Sequence, residues 1–263
     1  MNGETSGFKA PLDWLRPGWA HRGVDAVMTT RHGGVSKPPF DSFNLRAGIG
    51  DDLAAVARNE QLLRASMAAR PVWLEQVHGA RVVRLQASDA DPAAIVHRAD
   101  ASVSNTPGLA CMVQVADCLP VLFSAAGRAV AAAHAGWRGL AAGVLEATLA
   151  NVCDAADCGV NEVEAWLGAC IGPGQFEVGP DVLDAFDVRG ATGSSRFVER
   201  GPAHPGKWLA DLAGLAEDRL RAAGASRIQA VKLCTVDHPS RFFSYRRDGV
   251  TGRMAAGIWL VER

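Results

Sequence analysis

The 263-residue chain lacks any marked charge imbalance: 27 Lys and Arg stand against 28 Asp and Glu, a net charge of -1. Without a positive field it cannot hold nucleic acid or an anionic membrane surface, so small molecules are the expected partners. It also lacks the roughly 18–20 uncharged apolar residues in a row that a membrane helix needs, and its opening segment, MNGETSGFKAPLDW, has no apolar secretory core. A cytoplasmic protein is expected. C-x-x-C pairs are missing too. The six cysteines, Cys111, Cys118, Cys153, Cys158, Cys170 and Cys234, are scattered, which excludes a zinc ribbon or a thioredoxin-like dithiol. There is no Walker phosphate loop, no G-x-G-x-x-G after a strand and no G-x-S-x-G elbow, so neither a nucleotide cofactor nor an α/β-hydrolase serine is indicated.

What is present is enough apolar residue, 48%, for a large core. β-branched or continuous apolar runs predict strands over 24–31, 72–78, 81–85, 110–115, 119–124, 128–134, 163–168, 229–234 and 256–261. Helices are expected over Leu53–Ala69, behind an Asp51-Asp52 cap, and over Leu140–Cys153, where Leu140, Val144, Leu145, Thr148, Leu149 and Val152 form one stripe. Two more fit 179–187 and 208–223, and the Gly-, Ser- and Pro-rich stretch 190–206 reads as a loop or lid. Strands and helices are interleaved without repeats, so a single α+β domain over 1–263 is expected.

Three polar residues end apolar runs and are followed at once by Gly, Pro or Ala-Gly: His78 in EQVHGARV, Cys118 in ADCLP and His134 in AHAGWRG. In ADCLP, Asp117 and Cys118 interrupt an otherwise buried strand, and Pro120 removes a ladder donor. If the strands are neighbours, two imidazoles and one thiolate meet at one sheet edge, a set that suits zinc and leaves a fourth position open. Each of the three serves equally well as a hydrogen-bonded structural residue. His21, His32, His97, His204 and His238 have no comparable context, although His32 and His238 sit in glycine- or proline-bearing loops.

TTRHGGVSKPPFDSFNL (29–45), QVHG (76–79), ADCLP (116–120), HAGWRG (134–139), LGACIGPGQFEVG (167–179) and FFSYRRDGVTGR (242–253) together resemble the laccase-domain, or multicopper polyphenol oxidase-named, family. Its members are also described as purine nucleoside phosphorylases and peptidoglycan editing factors. The motifs run in order along nearly the whole chain. One departure is ARNEQLL (57–63), where Glu60 follows Asn59 in place of the usual Arg. The resemblance implies a four-layer α/β/β/α fold with mixed β-sheets, and one zinc held by His78, Cys118 and His134, which would also be the catalytic residues.

The family's older, oxidoreductase name does not suit this chain. A multicopper oxidase needs about ten histidines, several as H-x-H pairs; here there are seven and no such pair. Copper, if found, is expected as a substitute for zinc at one site. The activity implied by the resemblance is phosphorolysis of adenosine, inosine, guanosine and methylthioadenosine, with deamination of adenosine as a second reaction. Zinc suits the latter because it brings the pKa of a bound water to about 7. Phosphorolysis needs a phosphate clamp, for which the candidate donors are Arg31, with Ser36 in the HGGVS turn, and Arg138, helped by Arg246 and Arg247; Asn44 is a further substrate-binding candidate, and Phe243 and Tyr245 are candidates to stack on a base. Arg247 is as readily an ion-pair residue, and an aromatic pair in a strand is more often core. A second reading makes Cys118 the nucleophile of a Cys-His hydrolase acting on a UDP-linked muramyl-amino acid in peptidoglycan precursor editing. A third is a non-enzymatic zinc-bearing regulator. Nothing in the sequence fixes an oligomeric state.

Overall fold

Thirteen strands and six helices of the computed structural model, which describes residues 11, 13–19, 23–188 and 195–262, stack into layers. In chain order they are β1 (Val24–Met28), α1 (Leu53–Ser66), β2 (Arg70–Val72), β3 (Val82–Arg84), β4 (Ala101–Ser104), β5 (Leu109–Val115), β6 (Leu119–Ala125), β7 (Ala129–Ala135), α2 (Trp137–Ala141) and α3 (Val144–Ala156). There follow β8 (Val163–Leu167), β9 (Glu177–Val178), α4 (Pro180–Ala185), β10 (Phe197–Glu199), β11 (Trp208–Ala210), α5 (Leu212–Ala222), β12 (Arg227–Ala230), α6 (Tyr245–Asp248) and β13 (Met254–Leu260). A six-stranded sheet runs β12-β8-β6-β7-β4-β3, a four-stranded sheet β1-β13-β5-β2, and a small one β10-β11-β9. Both larger sheets are mixed: β12 with β8, β3 with β4 and β2 with β5 are parallel, and the other pairs are antiparallel.

Alternation along the strands assigns each face to a layer. On β6, Leu119, Val121 and Phe123 pack on Leu145, Leu149 and Val152 of α3 and Leu215 and Leu220 of α5. Leu122 points the other way, with Val130, Ala132 and Trp166, into the space between the sheets, where Cys111, Val113, Met254, Ala256 and Ile258 meet it. The far side of the four-stranded sheet, Ala110, Met112, Ala255 and Trp259, is covered by Leu63 and Met67 at the end of α1 and by Phe43 and Leu45. The order is therefore helix, sheet, sheet, helix. Strands buried on both faces read as unbroken apolar runs, which is why β5, β6 and β7 stand out in the sequence. No helix among the described residues is long and apolar enough to cross a membrane.

Several boundaries differ from the sequence reading. The 72–78 run forms a strand only as Arg70–Val72, and apart from a single bridge of Glu75 with Arg98 the chain then leaves the sheet toward the site. The 229–234 strand is displaced to Arg227–Ala230, and 24–31 ends at Met28. The stripe from Leu140 to Val152 is buried as expected, but on two helices: Gly143, at φ 90°, breaks it between α2 and α3. In the 208–223 segment, residues 208–210 form β11, and Asp211 caps α5 by accepting from Gly214 N. Of the stretch 190–206, residues 190–194 lie outside the described residues, and Phe197–Glu199 is strand, not loop.

Candidate metal centre and its two cavities

β6 and β7 form an antiparallel pair in which Pro120 lies opposite His134 and Leu119 opposite Ala135. Cys118, just before β6, therefore sits beside the end of β7. Pro120 lies beyond the last β6–β8 pair, Val121 with Leu167, so its missing N–H costs no ladder bond. The tight entry to β6 places Asp117 at φ 92°. Its carboxylate is held by Thr235 Oγ1 and, at 2.6 Å, by Arg246 N, which fixes the backbone ahead of Cys118.

His78 arrives from the other sheet, in the loop after β2 rather than at a strand end, with φ 60°. That conformation is held by Asp100, the residue before β4, which is fully buried. Its carboxylate accepts from the backbone N–H of Val77 (3.1 Å), His78 (2.9 Å) and Gly79 (2.7 Å), and lies 2.8 Å from His134 Nδ1. The candidate ligand atoms of His78, Cys118 and His134 all lie within 4.8 Å of one another. The two imidazoles meet edge to face at 4.8 Å, and His78 Nε2 is 3.9 Å from Cys118 Sγ.

Burial alone would push the Cys118 thiol up, but the His134 charge and hydrogen bonds from His134 and His78 outweigh it and bring it down to about 6. His134 is raised against its own burial by the Cys118 thiolate and the Asp100 carboxylate. Asp100 is likewise buried, yet held below the usual carboxylate range by His134 and by the Gly79 and Val77 N–H groups. A thiolate, two imidazoles and a carboxylate fixing the outer nitrogen of one of them make the donor set of a zinc site with an open position. Space is kept for it: a Cβ on Gly136 would lie 2.9 Å from His78 Cδ2 and 3.1 Å from Cys118 Sγ. Among the described residues no methionine lines the adjoining cavities, so these supply no axial thioether of a blue-copper centre.

Two cavities share the wall formed by His78, Ala116, Cys118 and Tyr245. One, of about 400 Å³, adds His134, Arg46, Gln76, Gln114 and Arg253. The other, of about 280 Å³, adds Trp137, Arg138, Phe176 and Arg246. Arg138 stacks on Trp137 at 4.2 Å, and the Arg246 guanidinium donates to the carbonyls of Gln175 and Glu177. Tyr245 is exposed at the start of α6, capped by Ser244, and not in a strand. Phe243 is fully buried core, and Arg31 lies over its ring at 4.9 Å while binding Asp41 and Pro239 O.

Arg31, Ser36, Asn44 and Phe243 line neither cavity. Ser36 Oγ and Asn44 Nδ2 both donate to Asp51 Oδ2, and the buried Asn59 amide donates to Ser36 Oγ and to the carbonyls of Ser42 and Asn44. Arg247 is spent on the carbonyls of Thr235, Val236 and Phe242 and on Asp248. Asp100, Arg46, Gln76, Gln114 and Arg253 were not singled out by the sequence.

A family model described as "Multi-copper polyphenol oxidoreductase laccase" matches residues 25–261. The chain belongs to this family. Among relatives in the laccase-like family, a protein of Pseudomonas aeruginosa named purine nucleoside phosphorylase is 49% identical over 95% of this chain and 99% of its own. Purine nucleoside phosphorylase YfiH of Escherichia coli is 49% identical over 94% and 97%. Two crystal structures of family-like fold superpose closely: a Neisseria meningitidis protein (TM-score 0.85, 43% identity, 95% of this chain and 99% of that one) and YlmD from Geobacillus stearothermophilus (TM-score 0.86, 32% identity, 97% and 99%).

Proposed function

We propose that the protein is a zinc-dependent purine nucleoside phosphorylase that acts on adenosine, inosine, guanosine and methylthioadenosine and also deaminates adenosine. The observation that carries this reading is the position of His78 and Cys118 on the wall shared by two cavities, with His134 beside them in the larger one. A reaction of two small molecules needs both to reach one point, and holding them there removes much of the entropic barrier. The relatives named purine nucleoside phosphorylase supply the reaction class. Trp137, Arg138, Arg246 and Tyr245 line the smaller cavity and are assigned to the nucleoside, with Tyr245 and Trp137 offering rings to a base.

In phosphorolysis an oxygen of hydrogen phosphate forms the bond to C1′ as the C1′–N9 bond breaks. The electron pair leaves on N9, which takes the phosphate proton, giving free base and ribose 1-phosphate. In deamination, adenosine and water give inosine and ammonia. Zinc held by His78, Cys118 and His134 would supply a Lewis acid and lower the pKa of water toward neutrality. Copper would enter the same three-ligand site by substitution. Asp100 holds His134 as the Nδ1–H tautomer with Nε2 turned to the ligand cluster, and keeps His78 in place through its backbone. Six free thiols fit a reducing compartment, and we place the reaction in the cytoplasm.

The test is product analysis. Adenosine with phosphate should yield adenine and ribose 1-phosphate; without phosphate, adenine should vanish while inosine persists. Absence of all three from concentrated enzyme, with a Cys118→Ala control for contamination, would remove the reading. One observation favours the hydrolase alternative: Asp100, His134 and Cys118 are also in the order carboxylate, imidazole, thiol, as a nucleophilic triad requires.

A further inference from the structure

Of the two cavities at the cluster, the larger holds two arginines and, among the described residues, no carboxylate. Arg46 and Arg253 line it with Gln76, Gln114, Tyr245 and the three candidate metal ligands, and no described Asp or Glu contributes to its wall. Among the described residues neither arginine is in an ion pair, whereas Arg31, Arg196, Arg200, Arg219 and Arg247 are.

The two are held side by side by design of the backbone. Asn44 Oδ1 accepts from the main-chain N–H of both Arg46 (3.1 Å) and Arg253 (2.9 Å), and Leu45 N donates to Arg253 O. The guanidiniums are also positioned. Arg46 donates to Gln114 Oε1 at 2.8 Å, while the Gln114 amide is anchored on Leu45 O and its backbone is gripped from both ends by the Gln76 side chain. Arg253 donates from one nitrogen to the carbonyls of Thr251 and Gly252 and lies 5.7 Å from the Tyr245 ring. Asp51 is occupied by Ser36, Asn44 and the N–H of Asp52, and Asp117, whose charge favours the Arg253 cation, is held by Thr235 Oγ1 and Arg246 N. Burial and the adjacent Arg46 charge make the Arg253 cation harder to hold and outweigh the opposite pull of Cys118, Asp117 and Tyr245. Two like charges kept together with no carboxylate paired to either, and with guanidinium nitrogens unspent, call for an anion with several oxygens.

We propose that Arg46 and Arg253 form an anion subsite that takes inorganic phosphate, on the opposite side of the His78–Cys118–His134 cluster from the nucleoside cavity. This rests on the phosphorylase reading for the identity of the anion, but the subsite itself is read from the charge and geometry of the cavity. A phosphate ester has the same oxygens, so the test separates the two.

Inorganic phosphate binding is measured by calorimetry on the zinc-loaded protein, with zinc content and circular dichroism checked for each variant. Arg253→Gln and Arg46→Gln should each lose at least tenfold in phosphate affinity, and Arg253→Lys should keep more of it than Arg253→Gln. Arg138→Gln, in the other cavity, should bind phosphate within twofold of wild type. Wild-type phosphate affinity in the Arg46→Gln and Arg253→Gln proteins, or its loss in Arg138→Gln, overturns the subsite. Ribose 5-phosphate binding at least tenfold more tightly than phosphate, and lost in the same variants, overturns the assignment to inorganic phosphate. Phosphate binding that depends on Arg46 and Arg253 in a protein that releases no base from nucleosides supports the subsite and sinks the phosphorylase reading.

Discussion

Asp100 holds His134 twice, at the backbone, where its carbonyl accepts from His134 N at 2.7 Å, and at the ring, where Oδ1 lies 2.8 Å from Nδ1. The same carboxylate accepts three N–H groups of the loop that carries His78, so one buried acid sets two of the three candidate ligands.

Asp100→Asn keeps the shape but sets an amide NH2 against groups that are themselves donors. Zinc affinity should fall about 10–100-fold, the usual effect of losing a carboxylate behind a histidine ligand. Asp100→Ala should lose more and also unfold earlier, since three loop donors lose their partner. Competition with a chelator measures the first effect and thermal denaturation the second. Wild-type zinc retention in Asp100→Asn would mean that Asp100 serves the loop alone.

Labelling of Cys118 by iodoacetamide separates ligand from nucleophile. With zinc bound, labelling should be slow and should speed up on chelation; an activated nucleophile would react fast without chelator. In the metal-free protein the thiolate fraction grows as pH rises, so the rate should be half-maximal near pH 6, the value to which His134 and His78 bring the Cys118 thiol against its burial. Cys153, pushed up to about 11 by burial and by Cys158, should stay unreactive there. His78→Ala and His134→Ala should lose zinc together with activity. Full zinc occupancy in Cys118→Ala would revive the hydrolase reading.

The three candidate ligands were legible because each follows an apolar run, and the fold does bring them together. Asp100 was not, because the short strand it precedes, ASVS, carries two serines and gave no apolar signal; without β4 the acid had no place. Arg46 and Arg253 were invisible for another reason. They lie 207 positions apart in sequence and are joined through Asn44 and the Leu45 N–H. The place of Asn44 in the FNL motif suggests a substrate contact, yet its amide is wholly internal. Phe243 and Tyr245, read as one aromatic pair, are separated by the cap at Ser244, which turns the first inward and the second out.

Asn44→Ala removes hydrogen bonds to Arg46 N, Arg46 O, Arg253 N and Asp51 from a fully buried position. Unpaired buried groups of this kind cost about 1–3 kcal/mol each before relaxation, so a loss of roughly 2–4 kcal/mol in urea unfolding is expected. Zinc content should change little, because the node is tied to the arginines and not to the ligand loop. Loss of zinc at unchanged stability would contradict this division.

Gly136 and Gly139, both in HAGWRG, should fail in different ways when changed to alanine. Gly136 caps α2 with φ −66° and ψ 158°, a backbone that any residue adopts, so Gly136→Ala adds no strain. Its methyl would instead fall 2.9 Å from His78 Cδ2 and 3.1 Å from Cys118 Sγ, and both side chains would have to shift apart. The exposed His78 ring has room to move, so the fold should keep its stability to within about 1 kcal/mol. A ligand set must hold its distances to a few tenths of an ångström, so zinc affinity should drop at least tenfold. At Gly139 the added methyl meets the Gly79 carbonyl oxygen at 2.7 Å, which is backbone and cannot rotate away. Gly139→Ala should therefore destabilise the fold by about 1–3 kcal/mol, pushing α2 off the loop that carries His78. Unfolding midpoints read beside zinc retention for the two proteins would show the contrast. A Gly136→Ala protein that retains zinc as wild type does would show that the space beside Cys118 and His78 is not needed by the metal.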